Sequence, residues 1–149
     1  MVFTLNCFND LGKCSYGTLR ESFDTEKDEI YLEDKKVDIT CIEDLFPFLW
    51  RSAGMAYYDN KTHKSVARFY GTTPWWHHRY KESVEEYEKD IKNYRKKIEK
   101  GGKKESTVER WKKNLEWMEK HRNSLMDMIE RLDGELEEQK KKLIEENKK

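Results

Sequence analysis

Two runs of apolar residues at heptad spacing, interrupted by a pair of glycines, restrict this chain more than any other feature. Tyr80, Val84, Tyr87, Ile91, Tyr94 and Ile98 alternate at spacings of four and three. That is the period of a helix that buries one edge against another helix. Val108, Trp111, Leu115, Met118, Arg122, Leu125, Ile129, Leu132, Leu136, Gln139 and Leu143 continue the same alternation, with Arg122 and Gln139 as its polar members. Thr73-Pro74 is a helix-start pair, because proline in the first turn lacks only an amide that would be unbonded anyway. Gly101-Gly102 ends the first helix, and Ser106-Thr107-Val108-Glu109 matches the capping box of a second. A connection of four or five residues forces the two helices back on each other as an antiparallel hairpin. With the pivot near Lys103, Ile98 faces Val108, Ile91 faces Leu115, Val84 faces Arg122 and Tyr80 faces Leu125. Arg122 would then pair with Glu85 or Glu88.

The helices differ in length, ~40 Å for about 27 residues and ~60 Å for about 40. Leu136 and Leu143 therefore overshoot the start of the first helix. They need a second apolar surface, either the N-terminal part of the chain or another copy of it, which makes a homodimer through Leu136 and Leu143 one expectation. Gly134, near that crossing, would let a neighbouring backbone approach.

Residues 1–73 read differently. Val2 to Phe8 alternates, with Phe3, Leu5 and Cys7 on one face, as a strand does. Residues 9–27 are ambiguous. Residues 29–32 and 37–40 flank a charged turn at Glu33 to Lys36, and residues 53–58 and 65–70 flank Asp59 to Thr62, giving two hairpins. Thr40-Cys41-Ile42-Glu43 resembles a capping box before a short apolar helix that contains Pro47. The expected fold class is α+β. Residues 1–73 form a small, mostly antiparallel head of four or five strands with a short helix, and residues 74–149 form a coiled-coil hairpin.

Charged residues make up 40% of the 149, and thirty basic side chains cancel thirty acidic ones. A uniformly basic nucleic-acid coat is thereby excluded. Residues 18–44 nevertheless hold four basic and ten acidic residues, whereas residues 89–113 hold eleven basic and four acidic. No apolar run approaches the roughly 18 residues that span a bilayer, and the opening MVFTLNCF lacks a basic flank. Three cysteines at irregular spacing fit free thiols in a reducing compartment, so a cytoplasmic location is expected.

The basic cluster is the leading candidate site. Lys92, Arg95, Lys96, Lys97, Lys100, Lys103, Lys104, Arg110, Lys112 and Lys113 surround the bend, where they could hold phosphates or an acidic protein groove. Its bland counterpart is solubility of an exposed hairpin. Glu26, Asp28, Glu29, Glu33 and Asp34 form an acidic counterpart in the head, whose ordinary role is a solvated face. Trp75, Trp76, His77 and His78 form the most unusual stretch. Imidazoles beside a stacking surface could bind metal or carry protons. Adjacent helical histidines diverge by about 100°, however, and only His78 with Glu82 has metal-pair spacing. The structural reading has the indoles anchoring the helix while the histidines face solvent or cap polar groups. His63 lies in a lone His-x-Ser, and His121 lies at the seam edge. Cys7, Cys14 and Cys41 fit small buried hydrophobes better than nucleophiles.

No cofactor and no metal site is expected, and no membrane partner. The pattern fits a non-enzymatic protein-interaction module that binds a protein partner, such as a nucleic-acid-binding complex, with direct nucleic acid a weaker option. Shape and charge suit a small inhibitor or adaptor, as phages direct against host nucleic-acid or defence machinery, although no motif says so. The alternatives are a homodimeric scaffold and a small metal-dependent hydrolase or nuclease using His77 and His78.

Overall fold

A computed structural model describes residues 2–7, 19–32, 34–59, 61–62 and 65–148. The fold is α+β and contains a helical hairpin. Residues divide into two compact units, Met1–Trp76 with Gly134–Lys149, and His77–Asp133.

The first unit holds strands β1 (Val2–Cys7), β2 (Leu19–Asp24), β3 (Ile30–Leu32), β4 (Lys35–Val37), β5 (Ser52–Tyr58) and β6 (Ser65–Tyr70). Four of them form an antiparallel sheet in the order β2-β1-β5-β6, and β3 pairs with β4. The expected first strand and both hairpins are present. The addition is β2, in the stretch the sequence left ambiguous, which brings the described strands to six. Glu21 between Leu19 and Phe23 blurs its alternation. Cross-strand packing supports it instead, since Phe23 is the register partner of Phe3 and their rings stack at 5.1 Å.

The β3–β4 hairpin is tighter than expected. Lys35 and Lys36 pair with Leu32 and Tyr31, so they belong to the strand and not to the turn. Asp34 takes the left-handed conformation at φ 65° that a two-residue turn demands. Ile39 consequently lies beyond the strand, where it enters the core at 8% exposure.

The short apolar helix is a 3₁₀ helix over Ile42–Arg51. Ten residues is long for this geometry, which rarely exceeds four. Pro47 offers no N–H and its ring obstructs an α-helical turn. Three residues per turn also stack Ile42, Leu45 and Phe48 on one edge, and all three are buried. The capping box is displaced by one residue. Asp44, not Glu43, accepts hydrogen bonds from the Thr40 and Cys41 amides at 2.8 and 3.1 Å. The Thr40 amide, then the Cys41 amide, holds the Asp44 carboxyl below its ordinary range.

The core joins Phe3, Ile30, Ile39, Ile42, Leu45, Phe48, Leu49 and Phe69 to Leu143. Leu143 and Leu136 come from helix α2 (Glu105–Lys148) and are 2% and 8% exposed. Of the two surfaces proposed for the overhang, this unit's own core takes Leu143, with Ile144 packed beside it. Glu146 accepts a hydrogen bond from the Arg68 amide of β6 at 3.4 Å, and Lys140 lies 5.5 Å from the centre of the Phe46 ring.

Helix α1 (Thr73–Lys100) begins at the anticipated Thr73-Pro74 pair. In the second unit every seam residue of both helices is buried or half-buried, and Ile91 is 2% exposed. Tyr87 with Trp117 mirrors about residue 102, and Lys97 with Trp111 and Tyr87 with His121 about residue 104, so these contacts bracket the expected pivot near Lys103. Gly101 and Gly102 both adopt left-handed φ values, 65° and 77°. Helix α2 starts at Glu105, a turn's edge before the Ser106 cap, with the Thr107 and Val108 amides bonded to the Lys104 carbonyl. Gly134 brings in no neighbouring backbone among the described residues, none of which lies within 4 Å of where its Cβ would stand.

Glycine replacements should therefore differ in sign. Gly101→Ala and Gly102→Ala meet no clash, yet each should cost about 1 kcal/mol through the left-handed backbone. Gly134→Ala should stabilise by up to ~1 kcal/mol, since it removes helix-interior flexibility in open space. Thermal melts of the three variants check this. Leu143→Ala should lower stability by ~2–5 kcal/mol, as for other fully buried leucines. Denaturant titration measures it, and a loss below that range would mean that Leu143 is not a core residue.

Candidate functional site

The ten basic residues around the bend are all exposed. They occupy the last turns of α1, the connecting loop and the first turns of α2. Two of them are engaged within the hairpin. Arg95 donates to Glu119 at 2.6 Å, and Lys97 lies 5.2 and 5.8 Å from the ring centres of Tyr94 and Trp111. Lys92, Lys96, Lys100, Lys103, Lys104, Arg110, Lys112 and Lys113 form no ion pair among the described residues. Lys97 and Lys100 also sit in the last turn of α1, where the helix dipole favours positive charge. With the Arg95–Glu119 pair, that accounts for three of the ten positions.

A groove of about 400 Å³ runs beside this cluster, lined by Glu88, Ile91, Lys92, Arg95, Lys96, Glu99 and Arg122. The expected ion pair of Arg122 with Glu85 or Glu88 does not form. Its Nε and Nη2 donate to the Asn123 side-chain oxygen at 3.4 and 3.3 Å, a neutral acceptor at the outer limit of hydrogen-bond length.

The histidine segment divides between partners. His77 is buried at 9% exposure and meets the Asp133 carboxylate at 2.5 Å, so of the two structural expectations it faces a polar group and not solvent. His78 is half-buried and pairs with Glu82, which Arg79 also contacts at 3.2 Å. Each imidazole thus has a carboxylate of its own. Among the described residues no group of three or more His, Cys, Asp or Glu side chains could hold a metal ion. Trp75 and Trp76 pack edge to face at 4.7 Å, with Trp76 45% exposed.

The acidic residues of the head are partly occupied in building turns. Asp28 accepts a hydrogen bond from the Asp24 amide at 2.7 Å, and Glu29 accepts one from the Tyr31 hydroxyl at 3.0 Å. Glu29 also lies 3.8 Å from Lys36. Glu26 and Asp34 are exposed. Glu33 and His63 lie outside the described residues, as do Cys14 and the side chain of Cys7.

Cys41 is exposed, not a buried hydrophobe. A backbone hydrogen bond at Asp44 draws its thiol pKa down, but the side chains of Glu43 and Asp44 and partial desolvation outweigh it and raise the pKa. A thiol held in its protonated form is a poor nucleophile.

One cluster escaped the sequence reading. Trp117 is 54% exposed, with His121 at 4.0 Å and Tyr87 at 6.3 Å between ring centres. Trp117 lies off the seam, immediately before Met118, so seam periodicity passes over it. Its spacing of four from His121 was the available signal.

No protein-family model, curated protein or solved structure matches the chain.

The His77–Asp133 contact should act as a clamp within the hairpin. His77→Ala and Asp133→Ala should each lower the melting temperature. A double-mutant cycle should give a coupling of about 1 kcal/mol or less, because the Asp133 side chain is 58% exposed. Additive losses would show that the two groups do not interact.

Proposed function

We propose that this chain is a non-enzymatic interaction module whose basic hairpin end binds an acidic protein surface, in the manner of a small inhibitor or adaptor. The supporting observation is the set of eight exposed cations around the bend that form no ion pair among the described residues. An interior pair would make such charges structural. Left exposed on a rigid two-helix scaffold, they are available for an external anion at little ordering cost.

A protein partner suits the site better than a nucleic-acid backbone. Glu99, Glu105 and Glu109 are interspersed among the cations, so the surface presents a mixed pattern. A partner with its own arranged charges can complement that pattern, whereas a uniform phosphate chain meets repulsion at each carboxylate. The separate carboxylate partners of His77 and His78, and the raised thiol pKa of Cys41, support the non-enzymatic reading.

A glutamate-rich peptide should bind the full chain at low ionic strength, with affinity falling as salt shortens the Debye length below ~10 Å. The triple reversal Lys96→Glu, Lys103→Glu, Lys104→Glu should weaken that binding at least about tenfold and flatten its salt dependence. Lys97 is left intact because its ring contacts contribute to packing. Fluorescence polarisation with labelled peptide measures both effects. Unchanged affinity in the reversal variant, or tighter binding of duplex DNA than of peptide, would overturn the proposal.

A further inference from the structure

The groove beside the bend holds Arg122, which makes no ion pair among the described residues. We infer that Arg122, with Lys92 and Lys96, forms a seat for a single carboxylate side chain of the bound partner. This rests on the reading of the hairpin end as an acidic-protein site, and it assigns one residue the central contact.

Arg122 occupies a heptad seam position, where an apolar residue would pack against the facing helix. The residue is half-buried, and its side chain lines the groove together with Lys92 and Lys96. Arg122 has only the Asn123 amide oxygen, at 3.3 to 3.4 Å, and makes no ion pair among the described residues. The guanidinium carries five N–H donors in a planar fork, so most of its capacity is unspent.

The charges around the groove also specify the guest. Lys92, Arg95, Lys96 and Arg122 face Glu88 and Glu99. Arg95 is committed to Glu119, leaving three cations against two carboxylates, a surplus of one positive charge. A singly charged carboxylate balances that surplus. A phosphate near pH 7 carries more than one negative charge and would face the repulsion of Glu88 and Glu99. The planar fork of arginine also matches the two oxygens of a carboxylate. At about 400 Å³ the groove accommodates a glutamate side chain.

The test uses the ¹⁵N-labelled full chain, N-acetyl-hexaglutamate as the probe, and inorganic phosphate as a competitor. Peptide addition should shift the Arg122 Nε–Hε resonance, and Arg122→Gln should weaken binding about tenfold or more. Arg122→Lys should recover only part of the loss, because an ammonium cannot make the paired contact. Arg122→Leu should raise the melting temperature while losing peptide affinity, which separates a binding role from a structural one. If the wild-type chain does not bind the peptide, both this inference and the proposed function fail. Binding abolished by the triple lysine reversal but unchanged in Arg122→Gln would overturn this inference alone. So would phosphate competing as well as the carboxylate peptide, or Arg122→Leu melting below the wild type.

Discussion

Burial of one apolar edge along α2 is the constraint on which the other features depend. Isolated helices gain little from propensity alone, and their persistence comes from tertiary packing. The chain meets that requirement with a single periodicity used twice. Up to Leu132, the seam residues of α2 lie in the hairpin unit, whereas Leu136, Gln139 and Leu143 lie in the sheet-containing unit. None of these eleven positions is exposed. The same three-four spacing therefore supplies the hairpin with its zipper and the head with Leu143, which completes a core of phenylalanines, isoleucines and leucines.

The hairpin was legible because its signal is long and redundant. Six seam residues on α1, eleven on α2, a proline start and a double glycine all point to one arrangement. The strands were legible where alternation was clean, as in β1, or where two segments flank a turn, as β5 and β6 do. Alternation failed at β2, where Glu21 interrupts the pattern and the deciding contact is the stack of Phe23 on Phe3. The 3₁₀ helix exposes a different limit. Ile42, Leu45, Phe48 and Leu49 satisfy an α-helical and a 3₁₀ stripe almost equally, and only the stereochemistry of Pro47 separates them. Turn details were least accessible. Whether Glu43 or Asp44 caps a helix depends on a fraction of a turn, which sequence spacing does not resolve.

The candidate site followed the same division. The cluster of cations at the bend could be read from composition, since a turn between two helices gathers what flanks it. Their state of pairing could not. Arg95 finds Glu119 across the hairpin, a partner 24 positions away, while its neighbour Lys96 finds none among the described residues. On the acidic side, Asp28 and Glu29 already serve backbone and hydroxyl donors of their own turns. Equal totals of positive and negative charge thus conceal unequal availability.

The two polar seam residues sharpen that asymmetry. Polar groups at seam positions commonly fix the register of paired helices, at some cost in stability. Gln139 fits this role, because its Nε2 donates to the Thr73 hydroxyl at the start of α1 at 3.2 Å. Its Oε1 is buried with no hydrogen-bond partner among the described residues, so the contact is retained despite an unpaired acceptor. Among the described residues Arg122 bonds only its sequence neighbour, and a bond between adjacent residues of one helix cannot align that helix with another. Register therefore accounts for Gln139 and not for Arg122. That leaves a positive charge beside two groove lysines, the arrangement on which the proposed carboxylate seat draws.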